Sequence, residues 1–185
     1  MRFSFSYFRS ASVIFGLILI AFAINPITEL LEFSQESLFM ASHYALFIGG
    51  FLLTRRLKLP PLLVVLSILG VVFWHLPLFY ALAAGEPAFR TINDVTMLVA
   101  GMLAGGASNS LSFSVKILLF IAWMGADSVL SVILIVGWPY YSNSIYSFSP
   151  YPISQELITG LVMFGIMTVV FVYVIFTMLR SVFKI

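Results

Sequence analysis

Apolar stretches without period-two alternation follow one another along this chain, separated by short polar joints. The stretches are about 18 to 25 residues long, enough to cross about 30 Å of hydrocarbon as helices; strands of a closed barrel would alternate instead. Six spans are expected. The first covers about 10–25 and runs on as helix past Pro26 toward Leu31. The others cover about 36–54, 61–83 with Pro60 and Pro61 at the start, 88–107 after "GEP", 111–137, and 153–180. The longest joint, 138–152, is rich in Ser, Tyr and Pro.

Composition makes lipid the solvent. Of 185 residues, 62% are hydrophobic and 9% charged, and the mean hydropathy is +1.12. A soluble domain of this size has too little interior to hide that much apolar surface. The expectation is an all-α integral membrane protein, a six-transmembrane-helix bundle forming a single domain over 1–185, multi-pass in the cell membrane. With no cysteine in the chain, disulfides, CxxC redox chemistry and thiolate metal sites are excluded. A net charge of +2 is no nucleic-acid signal.

The distribution of charge sets the expected orientation. Arg2, Arg9, Arg55, Arg56, Lys58, Lys116, Arg180 and Lys184 fall on one side of six spans, and Arg90 alone falls on the other. That pattern puts both termini in the cytoplasm. The acids Glu29, Glu32, Glu36, Glu86 and Glu156 fall near the outer ends. Trp138, Tyr140, Tyr141, Tyr146 and Tyr151 suit an outer interfacial belt. Ala21-Phe22-Ala23 mimics a signal-peptidase site, but helix-like sequence continues through "PITELLEF", so retention of the first span is expected.

Ionisable groups at membrane depth mark candidate sites, because leaving them in lipid costs several kcal/mol. His43, His75, Asp94 and Asp127 lie in four different spans. Counted from the span ends at 1.5 Å per residue, they sit roughly 9 to 15 Å below the outer surface, with Glu156 shallower at roughly 5 Å. Beside His75, Pro77 removes a backbone donor and frees the carbonyl of Phe73. His75 is then expected either to line a polar pocket or to lock helices by capping a carbonyl or pairing with Asp94. Asp127 has the same structural option with Ser or Tyr groups. Met40, Met97 and Met124 stand three residues from His43, Asp94 and Asp127, on the same helical faces. Thioether with imidazole suits Cu(I), and carboxylate with imidazole suits Cu(II) or Zn; methionine is equally an ordinary gap filler. Gly101 and Gly105 give a GxxxG spacing that permits close helix approach, inside the bundle or in an oligomer. HExxH, GxSxG and P-loop patterns are absent. No nucleophile–base arrangement is visible, so a protein without enzymatic activity is expected.

The segments "NPITELLEFSQESLFMASHYALF", "WHLP" at 74–77, "INDVTMLVAG" and, more loosely, "QELITGLVM" resemble the caa3-type cytochrome oxidase assembly factor (CtaG) family. The chain resembles still more closely a small archaeal membrane family of uncharacterised function. The likeness runs from about Asn25 to Gly165. It departs where the assembly factors carry HxxxH in the second span, since Phe39 stands at the first position and His43 at the second. It departs again in the fourth span, where Asp94 replaces a histidine. The resemblance implies a membrane accessory protein linked to assembly or copper handling of a haem-copper terminal oxidase, with respiratory oxidase subunits and membrane lipid as partners. Its implied metal ligands are His43, His75 and Asp94; Met40, Met97, Asp127 and Glu156, read from depth and spacing, would be surrounding groups. Two other functions fit the residues: a structural subunit whose polar groups only lock helices together, and a small transporter. The transporter would need a polar route inward, for which Lys116, Ser112 and Ser114 are the only groups near a span.

Overall fold

The computed structural model describes residues 11–183, with side chains through Arg180. Arg2, Arg9, Ser10 and Lys184, which the charge pattern and the first span use, lie outside the described residues. Among the described residues there are eight α-helices: α1 (Ala11–Ala23), α2 (Pro26–Glu32), α3 (Glu36–Thr54), α4 (Leu63–Trp74), α5 (Pro77–Gly85), α6 (Pro87–Ser108), α7 (Phe113–Ile135) and α8 (Glu156–Phe183). Short 3₁₀ turns at Pro139–Tyr141 and Ile153–Gln155 flank the aromatic joint. No strand occurs among the described residues.

Two expected spans are broken helices. Between α1 and α2 the chain bends by 54°. Asn25 makes the joint: its Oδ1 accepts from the amides of Ile27 and Thr28, both at 3.0 Å, and Pro26 opens α2, where a missing amide costs nothing. Between α4 and α5 the bend is 74°, so 61–83 is not one kinked helix. Leu76 is extended (φ −69°, ψ 137°) ahead of Pro77, because the proline ring disfavours helical backbone in the residue before it. At the far end of α7, Gly137 takes φ +70°. Its amide reaches the Leu134 carbonyl at 2.9 Å, while that of Trp138 reaches Ile133 at 3.2 Å. This is a Schellman ending, which needs a residue without a Cβ.

Among the described residues three helices, α3, α7 and α8, are long and apolar enough to cross a membrane, and up to five crossings result if each bent pair counts as one. The helix that fails this test is α6. Its polar residues explain why: Arg90 and Asn93 are buried, and α6 packs against α3, α4 and α5 in the middle of the bundle. Outward faces carry the grease instead. Ile27, Leu30, Leu62, Val136 and Val169 are all at least 70% exposed, an arrangement that suits a hydrocarbon surround.

Helix α3 is the hub, contacting α1, α2, α6 and α8. Its approach to α6 depends on glycine. A Cβ on Gly50 would strike the Leu98 carbonyl, and one on Gly101 would strike the Phe47 carbonyl. Gly105 likewise faces the Phe51 carbonyl. The GxxxG face at Gly101 and Gly105 therefore serves helix packing inside the chain, one of the two uses expected of it. At one end of the bundle, the Asn109 amide donates to the carbonyls of Arg55 (2.6 Å) and Leu57 (2.9 Å). Ser110 holds Leu59 in the same way at 2.7 Å. The Arg55–Lys58 loop and the α6–α7 turn thus share one end, and the acidic residues described next share the other.

Candidate functional site

At that other end α3 begins with Glu36, α8 with Glu156, and α6 contributes Arg90 near its start. All three residues are at most 4% exposed, as are Glu32, Tyr80, Asn93, Tyr151 and Thr159. Arg90 is the organiser. Its Nε donates to the Ala83 carbonyl at 3.2 Å and its Nη2 to that of Ala84 at 2.6 Å, closing the C-terminal turn of α5. Nη1 lies 3.7 Å from Glu32 Oε2 and 3.4 Å from the Glu29 carbonyl. The guanidinium stands 3.7 Å over the Phe33 ring and 4.8 Å from that of Phe39. A planar fork with five donors can satisfy so many partners at once; a lysine ammonium cannot.

Around Arg90 the carboxylates and phenols interlock. Tyr80 donates to Glu36 Oε1 at 3.0 Å, and Thr159 lies 3.0 Å from Oε2. The Glu36 amide is received by Gln155 Oε1 at 2.8 Å, while Gln155 Nε2 donates to the Ser34 carbonyl at 2.9 Å. Tyr151 donates to the Glu32 carbonyl, tying the 138–152 joint to α2. Tyr141 donates to the His75 carbonyl at 2.9 Å, which covers the break between α4 and α5. Burial pushes the Tyr141 phenol up to about 12, with Tyr146 adding to the shift. Burial likewise raises the Tyr151 phenol. The 138–152 joint is thus a packed cap whose buried tyrosines are structural, beyond an interfacial belt.

Below this cluster the two histidines meet. The rings of His43 and His75 are 5.9 Å apart, edge to face at 69°, and Phe39 packs its ring 4.3 Å from His43. His75 Nδ1 lies 2.7 Å from the Val71 carbonyl, so it is the protonated nitrogen and Nε2 keeps its lone pair. The carbonyl thus capped is that of Val71, one turn back on its own helix, while that of Phe73 receives the Leu76 amide at 3.3 Å. His43 Nε2 meets the side-chain amide of Asn93. His43 Nδ1 and Asn93 Oδ1 are both buried without a partner among the described residues. Turned so that Oδ1 accepts from Nε2–H, the amide leaves the His43 lone pair on Nδ1 and puts its own Nδ2 in the position without a partner.

The remaining predicted site residues separate. Asp94 is next to Asn93 in sequence but lines a cleft with Ile24, Glu29 and Leu46. It does not pair with His75, whose Nδ1 is taken by Val71. Asp127 accepts from Tyr44 on α3; of the readings given for it, the helix-locking one describes its contact. Glu156 belongs with Glu36, and neither of its carboxylate oxygens has a partner among the described residues. Met40 and Met97, each 1% exposed, are in the same core cluster as Phe39, Trp74 and Tyr80. No group of three His, Cys, Asp or Glu side chains close enough to share a metal occurs among the described residues. Of His43, His75 and Asp94, the structure brings the two imidazoles together and places Asp94 in the cleft with Glu29.

Sequence reasoning missed Arg90, Glu32, Tyr80 and Asn93. A signal was present: Arg90 is the lone base on the acidic side, and it stands one turn before Asn93 and Asp94.

Fold and site together define an all-helical bundle of membrane type, with apolar flanks and a polar core concentrated at one end. Residues 14–181 match the family described as "Protein of unknown function (DUF1404)", and the chain belongs to it. No curated protein and no solved structure matches the chain.

Proposed function

We propose that this chain is a six-span, multi-pass cell-membrane protein, with both termini cytoplasmic and the polar end facing outward. In this reading it is an accessory protein without enzymatic activity, linked to copper handling or assembly of a haem-copper terminal oxidase. Counting each bent pair as one crossing and adding α6 gives six. The clustering of Arg55–Lys58 with the α6–α7 turn agrees with a basic cytoplasmic face.

The observation that carries the proposal is the contact between the chain's only two histidines. Each ring is oriented through one nitrogen, His75 by the Val71 carbonyl and His43 by Asn93, and each keeps the other for a ligand. Metal-binding imidazoles are commonly oriented in this way. Two nitrogen donors without a carboxylate suit a low-coordinate, soft monovalent ion, so Cu(I) fits this pair better than Zn or Cu(II). Buried Nδ1 of His43, without a partner, is the specific sign of fit. His43 and His75 would hold the ion as cargo; Met40 and Met97 would supply apolar, polarisable surroundings. The likeness of "WHLP" and its companion segments to the oxidase assembly factors supports the link to an oxidase.

Competition against a chromophoric Cu(I) chelator tests the proposal. The protein is expected to withdraw one Cu(I), and His43→Ala or His75→Ala to abolish that transfer while the bundle still elutes as a folded species. Absence of Cu(I) binding, together with unchanged oxidase activity in cells carrying either variant, removes it.

A second reading is favoured by Arg90 and Asn93. Both act as interhelical locks, as expected of a structural subunit in a membrane complex. It predicts that His43→Ala and His75→Ala lower thermal stability and leave metal content unchanged.

A further inference from the structure

Apart from the histidine pair, the polar end holds two carboxyl groups that Arg90 does not serve. Glu36 opens α3 and Glu156 opens α8. Both are 0% exposed, as are Tyr80 and Thr159, which bond to Glu36. Glu156 belongs to the same cluster, since it interacts electrostatically with Glu36 and with Tyr80. Yet neither of its carboxylate oxygens has a hydrogen-bond partner among the described residues. Arg90 has no donor to spare. Its five N–H groups already face the carbonyls of Glu29, Ala83 and Ala84, the Tyr151 hydroxyl and Glu32.

Hydrogen counting around Glu36 shows what is needed. Tyr80 donates to Oε1 at 3.0 Å. The Thr159 hydroxyl lies 3.0 Å from Glu36 Oε2 and 3.0 Å from the Gln155 carbonyl. A hydroxyl has one hydrogen, and a carbonyl has none to give. Helical threonines bond back to the carbonyl four residues before them. With the Thr159 hydrogen placed there, the hydrogen between Thr159 and Oε2 belongs to the carboxyl. Glu36 is then a neutral acid, accepting at Oε1 and donating from Oε2. Glu156 reaches the same state by another route. Sealed from water and without a donor, an ionised carboxylate costs far more than a neutral acid in the same place.

We propose that Glu36 and Glu156 form a proton-binding site, each carboxyl holding a proton in the folded bundle and the pair joining α3 to α8 only while it does so. Each proton comes from water and turns a carboxylate into a carboxylic acid; no other reactant is consumed. A proton fits because it needs no coordination shell, and no three His, Cys, Asp or Glu side chains gather for a metal among the described residues. The pair titrates as one unit. Loss of both protons sets two unpaired charges against each other where α8 meets α3, so the joint holds at lower pH and loosens as pH rises. The ionisable groups around the pair are Tyr80 from α5, Tyr151 from the joint, Glu32 from α2 and Arg90 from α6. Helix α1 carries none, and Asp127 of α7 is engaged by Tyr44.

Infrared spectroscopy of the full chain in maltoside micelles, which contain no ester carbonyl, tests the site at neutral pH. The wild-type-minus-variant difference spectra for Glu36→Gln and for Glu156→Gln should each show the carbonyl stretch of a protonated carboxyl group, moving down in D₂O. Both variants should fold, because a primary amide mirrors a neutral acid: at position 36 its oxygen accepts from Tyr80 and its nitrogen donates to Thr159. Unfolding in weakly buffered dye solution should release protons from the wild type that the double variant does not release. A missing acid band in either difference spectrum, equal proton release from wild type and double variant, or failure of either single variant to fold overturns the proposal.

Discussion

Arg90→Met is the most informative single perturbation of this bundle. Methionine preserves the unbranched stem, so the change removes donors rather than volume. Five acceptors lose them: the carbonyls of Ala83 and Ala84, at 3.2 and 2.6 Å, the Glu29 carbonyl and the Tyr151 hydroxyl, both at 3.4 Å, and Glu32 at 3.7 Å. All lie in a region where Arg90 itself is 4% exposed, so water does not simply take its place. Breaking a buried ion pair from one side costs about 3–5 kcal/mol, and the stranded carbonyls keep the total at the upper part of that range. Adding Glu32→Gln removes the stranded carboxylate, and the double variant should regain about 1–3 kcal/mol over the sum of the singles. Reversible unfolding in mixed micelles, followed by far-UV circular dichroism as denaturing detergent is titrated in, gives each corner of the cycle. A single-variant loss under about 1 kcal/mol, or a coupling near zero, refutes the idea that Arg90 organises the polar end. Arg90→Lys is expected to behave nearly like Arg90→Met, because an ammonium cannot span both carbonyls and the carboxylate.

Other consequences are more local. Gly101→Ala should destabilise by about 1–3 kcal/mol, since its Cβ would strike the Phe47 carbonyl, whereas Gly125→Ala and Gly165→Ala meet open space and should gain about 0.5–1 kcal/mol; thermal melts compare the three. Tyr44→Phe strips the donor from Asp127 and should cost about 1–3 kcal/mol, with Asp127→Leu in the same background recovering part of it. The raised Tyr141 phenol makes stability depend on alkaline pH. Its folded value is about 12 against the ordinary phenol value of 10.0, so the neutral form is favoured in the folded state. The contribution is full below pH 10 and is lost as pH rises toward 12, about 2–3 kcal/mol in all. Melting temperatures measured from pH 9 to 12 should therefore fall more steeply for the wild type than for Tyr141→Phe.

The sequence alone determined the helices and their apolar character. Apolar run length and the lack of alternation are local properties, and they located α3 at 36–54 and placed α6, α7 and α8 within a few residues. The break at Pro77 was visible as a lost donor, but its 74° size was not, because that angle depends on what α4 and α5 pack against. Hydropathy also could not show that the least apolar of the long helices, α6, lies at the centre, since counting residues does not say which face turns inward.

The tertiary structure decided the site. Sequence depth brought His43, His75, Asp94 and Asp127 to one level, but level is only one coordinate, and rotation about each helix axis supplies another. That rotation turned Asn93 toward His43, sent Asp94 to the cleft with Glu29, and gave Asp127 to Tyr44. It also gathered Arg90, Glu32, Glu36 and Tyr80, which stand near helix ends where sequence reading expects ordinary interfacial residues. A charge at the end of a helix is solvated or buried according to what covers it, and here the cover is a loop more than a hundred residues distant from Glu32 along the chain, through Tyr151.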